Sequence, residues 1–154
     1  MKNLLLIVLM LASTYCFAQR NPFKNMTEEN GKIGIGTETP DELLTVKGKI
    51  HTQEVLVDLN GAVAPDYVFE KYFLGTSEIK PRYSMLSLSE IEIYIEKHHH
   101  LPGIPSATEL NENGLALKEM NLALLEKVEE LTLYVIAQQK EIDVLKEKVS
   151  KIED

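Results

Sequence analysis

A single seven-residue apolar register can be laid without a break over the last third of the chain, and nothing else in the sequence limits the fold so strongly. Placing Asn121, Val128, Val135, Ile142 and Val149 at position a puts Leu117, Leu124, Leu131, Gln138, Leu145 and Ile152 at position d. That is the pattern of a coiled-coil seam. The span from Leu117 to Ile152 has no Pro or Gly and is filled with Leu, Glu, Lys and Gln. Local propensity therefore supports one continuous helix, about 54 Å long at roughly 1.5 Å per residue. Such a rod cannot bury its own stripe, and a chain of 154 residues has little other mass to cover it. The expected partner is another copy of the same helix.

The flanks of the seam agree with a parallel arrangement, in which a g residue faces the e residue five positions on in the neighbour. Glu141 then meets Lys146, and Lys148 meets Glu153. Val at a with Leu at d favours two strands. Met120, Leu125 and Tyr134 widen the stripe and point to three. Gln138, at a central d position, leaves amides to be satisfied across the axis, a cost in stability that would fix the register.

At the other end, Lys2 precedes an apolar run from Leu4 to Ala12, a polar break at Ser13 and Thr14, and the small residue Ala18. This reads as a secretory signal peptide over residues 1–18. The alternatives are an uncleaved anchor and a lipoprotein modified at Cys16, although a lipidated cysteine needs a small residue before it and Tyr15 is bulky. No other stretch approaches the roughly 18 consecutive apolar residues of a membrane-spanning helix. The processed chain is thus expected to have no membrane span and to be secreted, or held at the cell surface or in a periplasm. Cleavage also removes Cys16, the single cysteine, and with it any disulfide or thiol chemistry. The net charge of −8 becomes more negative once Lys2 is lost, which speaks against nucleic acid or an anionic membrane as partner.

Residues 19–30 are polar and aperiodic, as in a mobile arm. Residues 31–64 alternate: Ile33 and Ile35, then Leu44 and Val46, then Val55, Val57 and Leu59. Three short half-buried strands are predicted, separated by turn residues at Thr39-Pro40-Asp41, Lys47-Gly48 and Asn60-Gly61. So small a sheet is marginal alone and is expected to complete itself against other chains. Residues 65–114 read as a small helical and aromatic cap. The rings of Tyr67, Phe69, Tyr72 and Phe73 are expected to pack, and capping boxes at Ser87/Glu90 and Ser106/Glu109 each open a helix. The first carries Leu88, Ile91, Tyr94 and Ile95 on one side and stops near His98, and Asn113-Gly114 closes the second. The segment from His99 to Pro105, with Pro102 and Pro105, makes a rigid connector. Residues 115–154 form the coiled coil.

Candidate chemistry is thin. Consecutive His98, His99 and His100 do not share a helix face, and histidines suit a helix C-terminus electrostatically. The carboxylates Glu126, Glu129, Glu130, Glu141 and Glu147 read as a solvated flank. GKIGIGT lacks the spacing of a phosphate loop, and no Ser lies in a Gly-x-Ser-x-Gly elbow. A zipper transcription factor needs a basic helix before its heptads, and residues 101–117 hold no Lys or Arg. No catalytic residue, metal site or cofactor is expected.

Two segments resemble known proteins. NGKIGIGTETPDELLTVKGKI is similar to the GIGT-x-x-P…L-x-V-x-G units of phage-tail-fibre-like proteins, which implies intertwined β-structured trimers. The stretch from PDYVFEKYF through HLPGIPSATEL and NGLALKEMN to LLEKVEELTLY resembles the C-terminal region of exported tail-fibre-like proteins of the Bacteroidetes. That region is loosely grouped with the intramolecular chaperone domain of phage tail spikes. Such domains trim themselves through a Ser and Lys pair in a motif like S-D-x-R-x-K, and this chain has no such motif. The expected fold is α+β: a short β-stem, small helices and a long C-terminal parallel coiled coil in an intertwined homotrimer. The expected function is a non-enzymatic fibre-like structural module, with a self-processing chaperone and an adhesin for an unknown surface ligand as alternatives.

Overall fold

The computed structural model of the chain describes residues 23–153. The expected signal peptide, and the start of the expected arm, lie outside those residues. The chain divides between Val55 and Leu56 into two compact units.

The first unit is a three-stranded sheet in the order β1 (Met26–Glu29), β2 (Lys32–Ile35), β3 (Leu44–Val46). β1 and β2 pair antiparallel, with Glu29 opposite Lys32, so the loop between them is only Asn30-Gly31. Both loop residues have positive φ, 53° and 79°, as a type I′ hairpin turn demands. The Gly31 N–H donates to Glu28 Oε1 at 2.8 Å. Met26–Glu29 is therefore a strand where an arm was expected, because the turn pairs it with β2. β3 runs parallel to β2, with Ile33, Gly34 and Ile35 opposite Leu44, Thr45 and Val46. The return loop is held by Thr45, whose hydroxyl donates to Asp41 Oδ1 at 2.6 Å and accepts from the Glu42 N–H at 3.1 Å.

The GIGT string has a steric reading here. A Cβ on Gly34 would run into the Thr37 carbonyl oxygen, and Gly36, at φ 73°, would place one 3.1 Å from the Lys47 carbonyl oxygen. Gly34→Ala is expected to destabilise this unit by about 1–3 kcal/mol, the usual cost of forcing atoms into a filled space. Faster hydrogen exchange at the Ile33 and Lys47 amides, which bond to Leu43 O and Ile35 O, would register it.

The third predicted strand does not form. Asn60 and Gly61 do make the expected tight turn, with positive φ at both and Ala62 N–H donating to Leu59 O at 3.0 Å. No ladder grows from it, and Val55, Leu56, Val57 and Leu59 are exposed.

The second unit contains α1 (Tyr67–Leu74), α2 (Leu88–His98), α3 (Ala107–Asn113) and α4 (Leu117–Glu153). α1, not foreseen as a helix, is closed by Gly75 in the left-handed region. Both capping boxes are present: the Ser87 and Ser106 hydroxyls each accept from the backbone N–H of the glutamate three residues on, and the serine's own N–H donates to that glutamate's carboxylate. His99, at φ 60°, ends α2, and Gly114 ends α3. In the connector, Ile104 N–H donates to Leu101 O at 3.1 Å across Pro102-Gly103, with Gly103 at φ 77°. That places Pro and Gly where a type II turn requires them. α4 is one uninterrupted helix of 37 residues. The small core joins Tyr67 and Val68 of α1, Tyr83 of the following loop and Leu133 of α4, with Phe69 and Met85 packed against it.

Candidate functional site

α4 has two faces with different fates. Leu133 is 1 % exposed, while Leu131, two residues earlier, is 60 % exposed. From Met120 onward the covered positions of α4 are Met120, Leu122, Ala123, Glu126, Lys127, Glu129, Glu130, Leu133, Tyr134 and Ala137. In the heptad register these fall at b, c and f, the side turned away from the seam, and at g, on one flank of it. All the seam residues, Leu117, Asn121, Leu124, Val128, Leu131, Val135, Gln138, Ile142, Leu145, Val149 and Ile152, are exposed. Among the described residues nothing covers this stripe, and Ile142, Leu145 and Val149 line a shallow apolar groove along it.

Two expectations about α4 need correction. Met120 and Tyr134 do not widen the seam: Met120 lines a cleft within its own chain, and the Tyr134 hydroxyl donates to Leu86 O. Of the three proposed flank residues only Leu125 stays exposed. Nor are Glu126, Glu129 and Glu130 a solvated flank, since the cap covers them. Their charges reach partners that the heptad pattern does not reveal. Tyr67 Oη donates to Glu126 Oε2, which also pairs with Lys80 Nζ at 3.2 Å. Lys127 Nζ bridges Glu126 at 3.1 Å and Glu130 at 2.8 Å, and Tyr83 Oη donates to Glu130 Oε1 at 2.8 Å. Lys80 Nζ lies 4.3 Å from the centre of the Tyr67 ring, and the Tyr67 and Tyr83 rings are 5.0 Å apart. After α1, Ser77 Oγ donates to Glu70 Oε2 at 2.6 Å.

The electrostatics follow from this latch. Burial pushes the Glu126 carboxyl up, but hydrogen bonds from Tyr67, Lys127 and Lys80 outweigh it and hold the group below the ordinary carboxylate range. Burial likewise opposes the charge on Lys127, and its bonds to Glu130 and Glu126 more than compensate, raising it. Burial and then the bond to Glu130 push the Tyr83 hydroxyl far up, so it stays a donor.

Glu129 is the exception. Its Oε2 is buried without a hydrogen-bond partner. Burial first, then the charges of Asp66 and Glu126, raise its carboxyl. A carboxyl raised in the folded state carries no penalty below the ordinary carboxylate range and its full penalty above the raised value. Glu129→Gln removes the buried charge and its repulsion by Asp66 and Glu126, and is therefore expected to gain about 1 kcal/mol at neutral pH, roughly the linkage scale of one pH unit. In thermal melts a few degrees of added stability at pH 7 should vanish as the pH falls through the carboxylate range.

The histidines lie at the end of α2. His98 stacks on Tyr94 with ring centres 4.3 Å apart, and His100 meets the Tyr94 edge at 5.5 Å. Among the described residues no group of three or more His, Cys, Asp or Glu is arranged to hold a metal ion. Of the aromatic string, Tyr67 is buried and Phe69 packs on the core, whereas Tyr72 and Phe73 form an exposed edge-to-face pair at 4.9 Å. Among the described residues no helix is long and apolar enough to cross a membrane. No protein-family model, curated protein or solved structure matches this chain.

Proposed function

We propose that the chain is an exported, non-enzymatic, fibre-like assembly module, in which α4 joins copies of itself in parallel and in register, as a trimer. One observation carries this reading: an apolar stripe runs the length of a 37-residue helix and is exposed throughout, while between Met120 and Ala137 the opposite face is engaged by the chain's own cap. Such a stripe is completed by a partner helix with the same period. The cap then serves as a collar that fixes which side of α4 is left open. Resemblance of the GIGT and PDYVFEKYF strings to tail-fibre-like proteins supports the fibre setting. The exposed Tyr72-Phe73 pair favours, as a second reading, an adhesive surface on the same assembly. Sedimentation equilibrium tests the main claim: a mass of three chains is expected, a clean two-chain mass would remove the trimer alone, and a single chain at micromolar concentration would end the reading.

A further inference from the structure

Between the end of α2, the connector, α3 and the first turns of α4 lies a cleft of about 580 Å³, within the range of roughly 300–1,000 Å³ that small ligands occupy. No Cα of α2 comes within 8 Å of α4, so the two walls of the cleft stand apart. Ile104, Pro105, Leu110, Met120 and Ala123 make its lining largely apolar. Glu119 and Ala123 stand at heptad positions f and c, which puts this part of the α4 wall on the side turned away from the seam.

The polar groups of the cleft are unbalanced toward acceptors. His100 Nδ1 lies 3.1 Å from Leu101 O. A carbonyl only accepts, so Nδ1 carries the proton, and in the neutral ring Nε2 is left as an acceptor. The Glu109 carboxylate receives the Ser106 N–H at Oε2, 2.7 Å away, and its Oε1 has no hydrogen bond among the described residues. Bonds from the Ser106 backbone and side chain hold this carboxyl below the ordinary carboxylate range, so it is charged at neutral pH. The second carboxylate, Glu119, is already paired with Lys118 at 3.7 Å. No Lys or Arg is among the residues that line the cleft. Beside these acceptors stands the ring of Tyr94, fixed by its stack on His98 at 4.3 Å and by the edge contact with His100 at 5.5 Å.

We propose that this cleft binds an arginine side chain presented by a peptide segment of another protein. A guanidinium brings only donors and one positive charge to a site that offers acceptors and one unpaired negative charge. It is planar, so it stacks on an aromatic ring, and its fork serves two acceptors at once, as Glu109 Oε1 and His100 Nε2 require. A lysine ammonium is more strongly hydrated and has no plane to stack. The methylene stem of arginine lies well along apolar walls. Since the cleft is larger than one side chain, a residue next to the arginine enters with it, and the apolar lining selects an apolar one. The chain's net charge of −8 draws a basic segment in from a distance.

The probe is the dipeptide acetyl-Leu-Arg-amide, whose one charge is the guanidinium, titrated into the full chain while the ring resonances of His100 and Tyr94 are followed by NMR. Saturable shifts of both rings are expected at millimolar peptide. The citrulline analogue, which has the same shape without the charge, is expected to bind at least tenfold more weakly, and so is the lysine analogue. Glu109→Gln is expected to weaken the arginine peptide about tenfold or more, because glutamine keeps the capping box with Ser106 and removes only the charge. Tyr94→Leu, which removes the ring, is expected to act in the same direction and serves as the second variant if Glu109→Gln lowers helix content. Equal binding of the citrulline peptide overturns the charge argument, and equal binding of the lysine peptide overturns the guanidinium. Unchanged affinity in a folded Glu109→Gln or Tyr94→Leu chain removes the cleft as the site, and absence of any saturable shift ends the proposal. None of these outcomes depends on how many copies α4 joins.

Discussion

Leu131→Glu is expected to leave a folded single chain where the native sequence assembles. Leu131 occupies a central d position and is more than half exposed within the chain, so the substitution removes no contact on which the cap depends. In the assembly the same site meets its copies across the axis. Burying a leucine there is worth about 1.5–3 kcal/mol per chain. A carboxylate in its place adds the cost of drawing a charge out of water next to identical charges. A loss of about 3 kcal/mol per chain corresponds to a factor of more than a hundred in affinity. Sedimentation equilibrium should therefore report one chain at concentrations where the native protein is assembled, and the thermal transition of the cap should persist. An assembled mass retained in the variant would place the interface off the a and d positions and refute the seam.

The long helix was legible because period and propensity agree over ten turns, and both capping boxes were legible because each is a local sequence signature with a local hydrogen-bond solution. The first unit was half legible. Alternation located β2 and β3, but the Asn30-Gly31 pair, which carries the turn chemistry of a hairpin, was split between an arm ending at Asn30 and a β segment starting at Gly31, because the residues before it, Met26 to Glu29, look polar. The Asn60-Gly61 pair carries the same chemistry and does turn the chain, yet it organises no ladder, since a turn supplies geometry and the pairing must come from the strands. α1 went unseen because Tyr, Val and Phe are poor helix formers whose packing overrides propensity here. The Gly75 stop was the readable trace of it.

The candidate site was legible on one face of α4 only. A heptad assignment divides the helix into seam and remainder, and the remainder was read as solvent-facing because it holds Glu126, Glu129, Glu130, Glu141 and Glu147. Charged residues with partners can be covered, and the partners, Tyr67, Lys80 and Tyr83, come from segments more than forty residues away. No periodicity connects segments so far apart. The one available hint was that Leu122, Ala123, Leu133 and Ala137 interrupt the charged side with small or apolar residues, a second and weaker stripe opposite the first.

That second stripe gives the sharpest contrast with Leu131. Leu133→Ala is expected to melt the cap while leaving the seam residues untouched. Leu133 is the α4 member of the core cluster and is 1 % exposed. Its truncation removes apolar contacts and leaves a space that the flanking latch resists filling, because Glu130 and Glu126 are fixed by hydrogen bonds to Tyr83 and Tyr67. Leucine-to-alanine changes at such sites cost about 2–5 kcal/mol. In a unit of this size each kcal/mol moves the midpoint by about 4–8 °C, so a drop of roughly 8–40 °C is expected. The readout is the near-ultraviolet signal of the paired Tyr67 and Tyr83 rings against temperature, followed alongside helix content. If the tyrosine signal melts at the native temperature, Leu133 does not anchor the cap and the two-faced account of α4 is wrong. If it melts early while the assembled mass is retained, the two faces act independently: one joins α4 to its own chain, and the other joins it to the next.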